Sequence, residues 1–312
     1  MINITQHMHF IQDDIVNKII NRISLCALTI IILQSIHAAD LIIFSYNRPL
    51  QLEALLKSTT EYIDNLKDVH VIYRSNTDAF DTAYEELMHD YADVKFLQQL
   101  NPPHDFKPIL IELLDQTSAE YVCFAVDDNI VTDRFDISAC TQALEQTGAY
   151  GFYLRLGTNI TYSYNYNLPL DLPAFTYITD DICLFSFEGN KSYWAYPNTV
   201  DMTVYKKDII LPILKELKFT SPNRLESVWH RIAKLEQNGL CFVHSKMVNT
   251  PLNIVQEDWH NKNESSYTPE ELLAIWQQGL RIDITSLYKL QNNAAHINYV
   301  PQFIKRGIHV SH

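Results

Sequence analysis

The amino-acid sequence predicts an α/β fold built on a mostly parallel central sheet flanked by helices, followed by a less regular second half. Three observations carry this. Short apolar runs alternate with amphipathic segments at helical spacing from residue 40 to residue 126. The connections are long enough for crossovers and too long for hairpins. Polar clusters follow the first and fourth apolar runs, at the carboxyl ends of strands, where ligands bind in open α/β sheets.

The elements follow in order. Asp40-Leu-Ile-Ile-Phe-Ser45 is a buried strand. Tyr46-Asn-Arg-Pro49 is a turn that places proline at a helix start. Leu50 to Ile63 carries Leu52, Leu55, Leu56 and Ile63 as a helical stripe. Val69 to Tyr73 is the second strand, and Phe80 to Tyr91 a helix with Tyr84, Leu87, Met88 and Tyr91 on one face. Val94 to Leu97 is a third strand, Phe106 to Leu114 a third helix, and Tyr121 to Val126 a fourth strand. Beyond it, Phe135 to Gln146, Asp208 to Leu217, Asn223 to Leu235 and Pro269 to Gly279 read as helices. Thr268 and Glu271 form a capping box for the last. Tyr150 to Leu156 and Leu240 to His244 read as strands. Residues 158–200, rich in Tyr, Asn and Pro, read as an aromatic loop region with short antiparallel strands.

Composition narrows the function. The chain has 312 residues, 47% hydrophobic and 20% charged, a globular balance. Its 24 Lys and Arg against 37 Asp and Glu give a formal charge of −13, which argues against gripping nucleic acid through phosphate neutralisation. A divalent cation can still bridge such a protein to a phosphorylated ligand. Only 7 glycines are present, and there is no GxGxxG or GxxxxGK[ST] loop. HExxH, GxSxG and zinc-spaced Cys/His pairs are absent too. None of the five cysteines forms a CxxC, and Cys123 and Cys183 sit in apolar runs as buried hydrophobes.

The amino terminus predicts export or membrane association. Ile23 to Leu33 is an apolar block preceded by Lys18 and Arg22 and followed by small residues through Ala39. A signal peptide or anchor over residues 1–39, with membrane contact through residues 15–36, is the expectation. Otherwise the chain is cytoplasmic, with residues 1–39 as a first buried helix. Residues 40–312 form one domain, with a nucleotide-binding half at 40–135 and an acceptor half at 136–312.

Asp127-Asp128-Asn129 closes the fourth strand. Asp and Asn after a strand commonly form Asx turns. Hard divalent cations also seek such oxygen ligands, usually one or two carboxylates plus substrate phosphates. In an extended segment Asp127 and Asn129 point one way and Asp128 the other. One carboxylate could then bind a metal while its neighbour holds a sugar or ribose hydroxyl.

Asp40-Leu-Ile-Ile-Phe-Ser-Tyr-Asn-Arg-Pro-Leu-Gln-Leu52, Val126-Asp-Asp-Asn-Ile130 and Pro222-Asn-Arg-Leu-Glu226 together resemble GT-A fold nucleotide-sugar glycosyltransferases of the bacterial family-2-like kind. The resemblance covers most of the chain after Ala39. It implies a Rossmann-like sheet and a reaction in which an acceptor hydroxyl attacks the anomeric carbon of a nucleoside-diphosphate sugar, with inversion. By the resemblance, Ser45, Tyr46, Asn47 and Arg48 line the base and ribose pocket. Asp127 and Asn129 hold Mn2+ or Mg2+ on the diphosphate, and Asp128 faces the sugar or ribose. Asn129 departs from the family's acidic residue, so it offers a ligand without charge.

Glu226, at a helix start on the acceptor side, resembles the base of inverting members. Glutamate also favours helix N-termini on its own account. Asp201 is the second candidate base, or a hydrogen-bond partner for a sugar hydroxyl. Trp194 and Tyr196 suit sugar stacking or core packing. A histidine sometimes completes the metal site in such enzymes, and His244, His260 and His296 are all available. Asn249, Asn253 and Gln256 could bind diphosphate or acceptor. Two other readings remain: a nucleotidyltransferase, which the lack of glycine in residues 45–49 disfavours, and a non-catalytic exported carbohydrate-binding or host-interaction protein on a degenerate transferase fold.

Overall fold

Strands apolar on both sides must be covered on both sides, and here they assemble into one nine-stranded sheet between two helical layers. The structure, a computed structural model, describes residues 38–253, 255 and 267–307. The strands are β1 (Ala39–Tyr46), β2 (Val69–Arg74), β3 (Lys95–Gln98), β4 (Tyr121–Val126), β5 (Gly151–Tyr153), β6 (Phe175–Tyr177), β7 (Ile182–Ser186), β8 (Thr203–Lys206) and β9 (Asn238–Phe242). Their order across the sheet is β6-β7-β9-β5-β8-β4-β1-β2-β3. β4, β1, β2 and β3 run parallel, as do β5 and β9. β8 runs antiparallel between β4 and β5, and β7 antiparallel to β9 and β6. This is the mostly parallel, helix-flanked sheet that the sequence predicts.

The helices are α1 (Pro49–Tyr62), α2 (Asp78–Asp90), α3 (Phe106–Gln116), α4 (Ile137–Thr147), α5 (Lys207–Glu216), α6 (Pro222–His230) and α7 (Pro269–Gln277). Period-two alternation on β1 sorts them into layers. Leu41 and Ile43 face a core that takes in α1, α2, α4 and α7. Ile42 and Phe44 face the opposite core, with α3, α5 and α6. Local signals fix the ends. Pro49 opens α1. The Asp136 carboxylate accepts from the Ser138 N–H to cap α4, and Gly148 ends it at φ 65°, where a side chain would be strained. The predicted capping box of Thr268 and Glu271 opens α7.

Departures from the expected elements have local causes. The helix expected over 223–235 stops at His230, and Ile232 and Leu235, which prolong its stripe in sequence, are exposed with no core to face. The strand expected over Tyr150 to Leu156 shortens to β5, and residues 175–186 of the aromatic region supply the antiparallel β6 and β7. Trp194 is fully buried and packs edge-on against Phe175 and Phe185. Of its two expected roles, it takes that of core packing and not sugar stacking. Cys123 and Cys183 are buried and free, as expected. Among the described residues no helix is long and apolar enough to cross a membrane. The apolar block at 23–33, with almost all of the 1–39 segment, lies outside the described residues.

Phe124, on β4, is fully buried with ring contacts to Phe44, Tyr205 and Trp229 at 5.9–6.3 Å. Phe124→Ala therefore lowers unfolding free energy by about 3–5 kcal/mol in denaturant titration.

Candidate active site

The carboxyl edge of the sheet gathers the charged residues. β1 and β4 end there, β5 leads there to Arg155, and the reversed β8 begins there just after Asp201. Outside the sheet, Asn129–Val131 pairs antiparallel with Met247–Asn249, and Asn249 bridges to His296. These pairings bring the late chain across the same edge.

Arg48 is the hub. It is 8% exposed, and its Nη1 donates to Asp127 Oδ1 at 2.8 Å and to Asp128 Oδ2 at 3.3 Å. Its Nε donates to Asn253 Oδ1 at 2.7 Å and its Nη2 to the Asn253 carbonyl. Burial lowers the tendency of the guanidinium to stay charged, but Asp127 and Asp128 outweigh it and raise its pKa. The Tyr46 N–H donates to Asp127 Oδ2 at 3.2 Å, so Asp127 ties β1 to β4.

The neighbouring candidates from the first turn are held structurally. Asn47 adopts φ 53° and its Oδ1 accepts the Asn76 N–H. Ser45 shares a 2.7 Å hydrogen bond with Tyr84, whose oxygen also accepts the Arg48 N–H. Tyr46 is partly exposed, with the Arg74 guanidinium 3.8 Å above its ring. Of the four residues expected at a base and ribose pocket, Tyr46 presents a ring at the carboxyl edge, while Ser45, Asn47 and Arg48 are buried in contacts with protein.

The acidic turn differs from an extended segment. Residues 127–128 form a tight turn, so both carboxylates meet Arg48 instead of alternating. Asn129 is fully buried, and its Oδ1 accepts the Val126 N–H at 3.0 Å. The amide oxygen expected to face a metal is therefore taken by the turn itself. Burial, Asp127 and Asp201 push the Asp128 carboxyl up to about 6, with Arg48 opposing. Its Oδ1 is buried without a hydrogen-bond partner.

A second acid group faces the first. Asp201 accepts from Arg155 Nη1 at 3.3 Å and from Asn249 Nδ2 at 3.2 Å. Glu226, expected at the start of α6, lies beyond its first turn and accepts the Val200 N–H at 3.1 Å. Burial first, then the charge of Asp201, pushes its carboxyl up to about 7. Tyr196 is partly exposed and stacks on His230 at 4.1 Å, with the Arg155 guanidinium 5.7 Å from its ring.

His296 lies near-parallel to Tyr193 and Tyr164, 5.9 and 6.5 Å away, and its electrostatic partners are Asp201 and Arg155. Burial leads in lowering its pKa. His244 lies beyond the end of β9, with a buried Nε2 that has no partner. His260 and Gln256 lie outside the described residues.

Arg155 is the functional candidate that motif reading passes over. It is 3% exposed, and its Nε and Nη2 have no hydrogen-bond partner. A buried guanidinium with free donors calls for an acceptor. The sequence signal was a lone arginine at the exit of an apolar strand, on the edge where ligands bind.

No family model matches the chain. The chain is 27% identical over 212 residues to the bifunctional glycosyltransferase pgtA of Dictyostelium discoideum, covering 60% of this chain. It spans about a quarter of that relative, 27% of its length. Among solved structures, S. aureus TarS 1-349 in complex with UDP aligns over 76% of this chain and 64% of its own, at 14% identity and TM-score 0.44. The mannosyltransferase PcManGT from Pyrobaculum calidifontis, in complex with GDP-Man and Mn2+, aligns over 66% and 56%, at 13% identity and TM-score 0.40.

Removing Arg48 leaves Asp127 buried beside Asp128 with no cation. Arg48→Ala costs about 3–5 kcal/mol at pH 7. The loss shrinks as pH falls towards 5, because the stranded carboxyls then take up protons. Denaturant titration of both proteins at pH 7 and pH 5 measures the difference.

Proposed function

We propose that the chain transfers a sugar from a nucleoside-diphosphate-sugar donor to a hydroxyl acceptor, with inversion. The observation that carries this reading is the convergence of Asp127, Asp128, Asp201 and Glu226 on one sheet edge with Arg48 and Arg155 between them. The similarity to pgtA supports it.

Roles follow from the surroundings of each group. Tyr46, braced by Arg74, lies at the exit of β1 and offers a face to the donor base. Asp127 holds Arg48 in place and Asn129 locks the turn. Arg48 is fully engaged within the protein, so it fixes the carboxylates and the late chain instead of reaching for ligand. Arg155 offers its free Nε and Nη2 to a sugar or acceptor oxygen beside Tyr196.

Mn2+ or Mg2+ fits the hard oxygen donors available. Asp128 and Asn249 each keep a buried Oδ1 without a protein partner, the condition of a ligand awaiting a cation. When bound, the ion neutralises charge on the departing diphosphate.

Glu226 is the base. A carboxyl near 7 is divided between its two forms at neutral pH, where proton transfer is efficient. Asp201, held from two sides by Arg155 and Asn249, keeps Glu226 raised and binds a hydroxyl of the incoming sugar.

Thermal-shift titration of the protein with UDP, GDP, CMP and TDP, with and without Mn2+, tests the donor. Binding at a hundredfold excess over Kd raises stability by about 2.7 kcal/mol. A metal-dependent shift for one nucleotide that Asp128→Asn abolishes is the expected result. No shift with any nucleotide, together with no donor hydrolysis, overturns the transferase reading in favour of a carbohydrate-binding protein without catalysis.

Glu226→Gln lowers kcat by about 10²–10⁴-fold and removes the rise in wild-type rate as pH passes about 7. The same variant gains stability. Glu226 binds its proton more tightly in the folded state, so the wild type loses stability as pH climbs from the unfolded value towards about 7. The variant's Tm advantage is therefore small at pH 5 and larger at pH 8.

A further inference from the structure

A second group of ligating side chains lies at the opposite edge of the sheet. β1 and β2 are parallel with Ile42 opposite His70, and the Leu41 N–H donates to the Asp68 carbonyl at 2.9 Å. Asp40 is two residues before Ile42 and Asp68 two before His70, so period-two alternation puts all three side chains on one face. That face is the one Ile42 shares with α3. One ligating atom from each of Asp40, Asp68 and His70 lies within 4.8 Å of the others. The site is at the amino end of β1 and β2, whereas Arg48 and Asp127 follow the carboxyl ends of β1 and β4.

The buried members are short of partners. Asp40 is fully buried and His70 is 5% exposed. His70 Nε2 sits 3.4 Å from Asp40 Oδ2 without hydrogen-bond geometry, and neither it nor Asp40 Oδ1 has a partner. Leaving a buried polar atom unsatisfied costs about 1–3 kcal/mol.

We propose that Asp40, Asp68 and His70 bind a divalent transition-metal cation, Zn2+ in preference to Mn2+, at the amino edge of the sheet. The observed separation fits. Two ligands about 2.0–2.1 Å from a tetrahedral zinc stand about 3.4 Å apart, as His70 Nε2 and Asp40 Oδ2 do. One imidazole with two carboxylates suits zinc better than magnesium or calcium. Asp68 is the movable ligand. Its side chain is 32% exposed and pairs with Lys95, which is 56% exposed and can turn to solvent. Water completes the fourth position. The cation would cross-link β1 to β2 and play no part in sugar transfer.

The test is calorimetric titration of metal-stripped, untagged full-length protein with ZnCl2 and, separately, MnCl2. One equivalent of Zn2+ binds, at least tenfold more tightly than Mn2+, and raises Tm without nucleotide. Asp68→Asn, at the half-exposed position, weakens Zn2+ binding at least tenfold, and His70→Gln weakens it further. Asp128→Asn leaves it unchanged, so this outcome is independent of the transferase reading. Co2+ gives the intense visible bands of a tetrahedral site. The proposal is overturned if native protein shows no saturable one-to-one binding, if Asp68→Asn binds Zn2+ like the native chain, or if Asp128→Asn abolishes the binding. The first of these results leaves an ordinary buried Asp–His pair.

Discussion

The Arg48 guanidinium is the constraint on which the carboxyl edge depends. It stands at the exit of the first strand and holds the exit of the fourth through Asp127 and Asp128. Through Asn253 it also holds the late chain. Two carboxylates this close in a buried setting repel each other, and a cation between them offsets that repulsion. Asp127 receives the better share, with the 2.8 Å contact and a backbone donor. Asp128 is left with a longer contact and a free oxygen, and so becomes the adjustable member of the pair.

The group around Asp201 repeats the pattern with different parts. Arg155 fixes Asp201 as Arg48 fixes Asp127, and the uncompensated charge falls on the next carboxyl along, Glu226. Each half thus holds one carboxylate firmly and leaves another with a displaced pKa. Displaced acids of this kind cluster where chemistry is done. Stability is given up there, since burying Glu226 ionised is costly.

Much of this was legible in the sequence. Apolar runs at crossover spacing revealed the parallel strands, and Pro49, Thr268 and Glu271 revealed helix ends, because those signals are local. Asp127 and Asp128 were legible as an acidic turn at a strand exit. The hidden parts depend on the third dimension. Asn129 looked like a ligand because an extended strand alternates its side chains, while the tight turn takes its oxygen for the Val126 N–H. Arg48 looked like a pocket residue because Asn253, 205 positions away, gives no sign in sequence of coming to meet it. Arg155 had no motif to mark it. Trp194 suited sugar stacking and core packing alike, and only the packing of β6 and β7 decides between them.

The reversed direction of β8 has a further consequence. A parallel strand delivers to the carboxyl edge the residues that follow it, and those residues must then lead into a crossover helix. β8 delivers the residues that precede it, from Tyr196 to Asp201, and its crossover helix α5 departs from the far side. The wall that carries Tyr196 and Asp201 is therefore written on a segment free of any crossover. Insertions or exchanges between β7 and β8 can redraw it while β1 and β4 keep their register. Such a layout leaves one wall of the edge free to change while the strands that carry Arg48 and Asp127 stay in place.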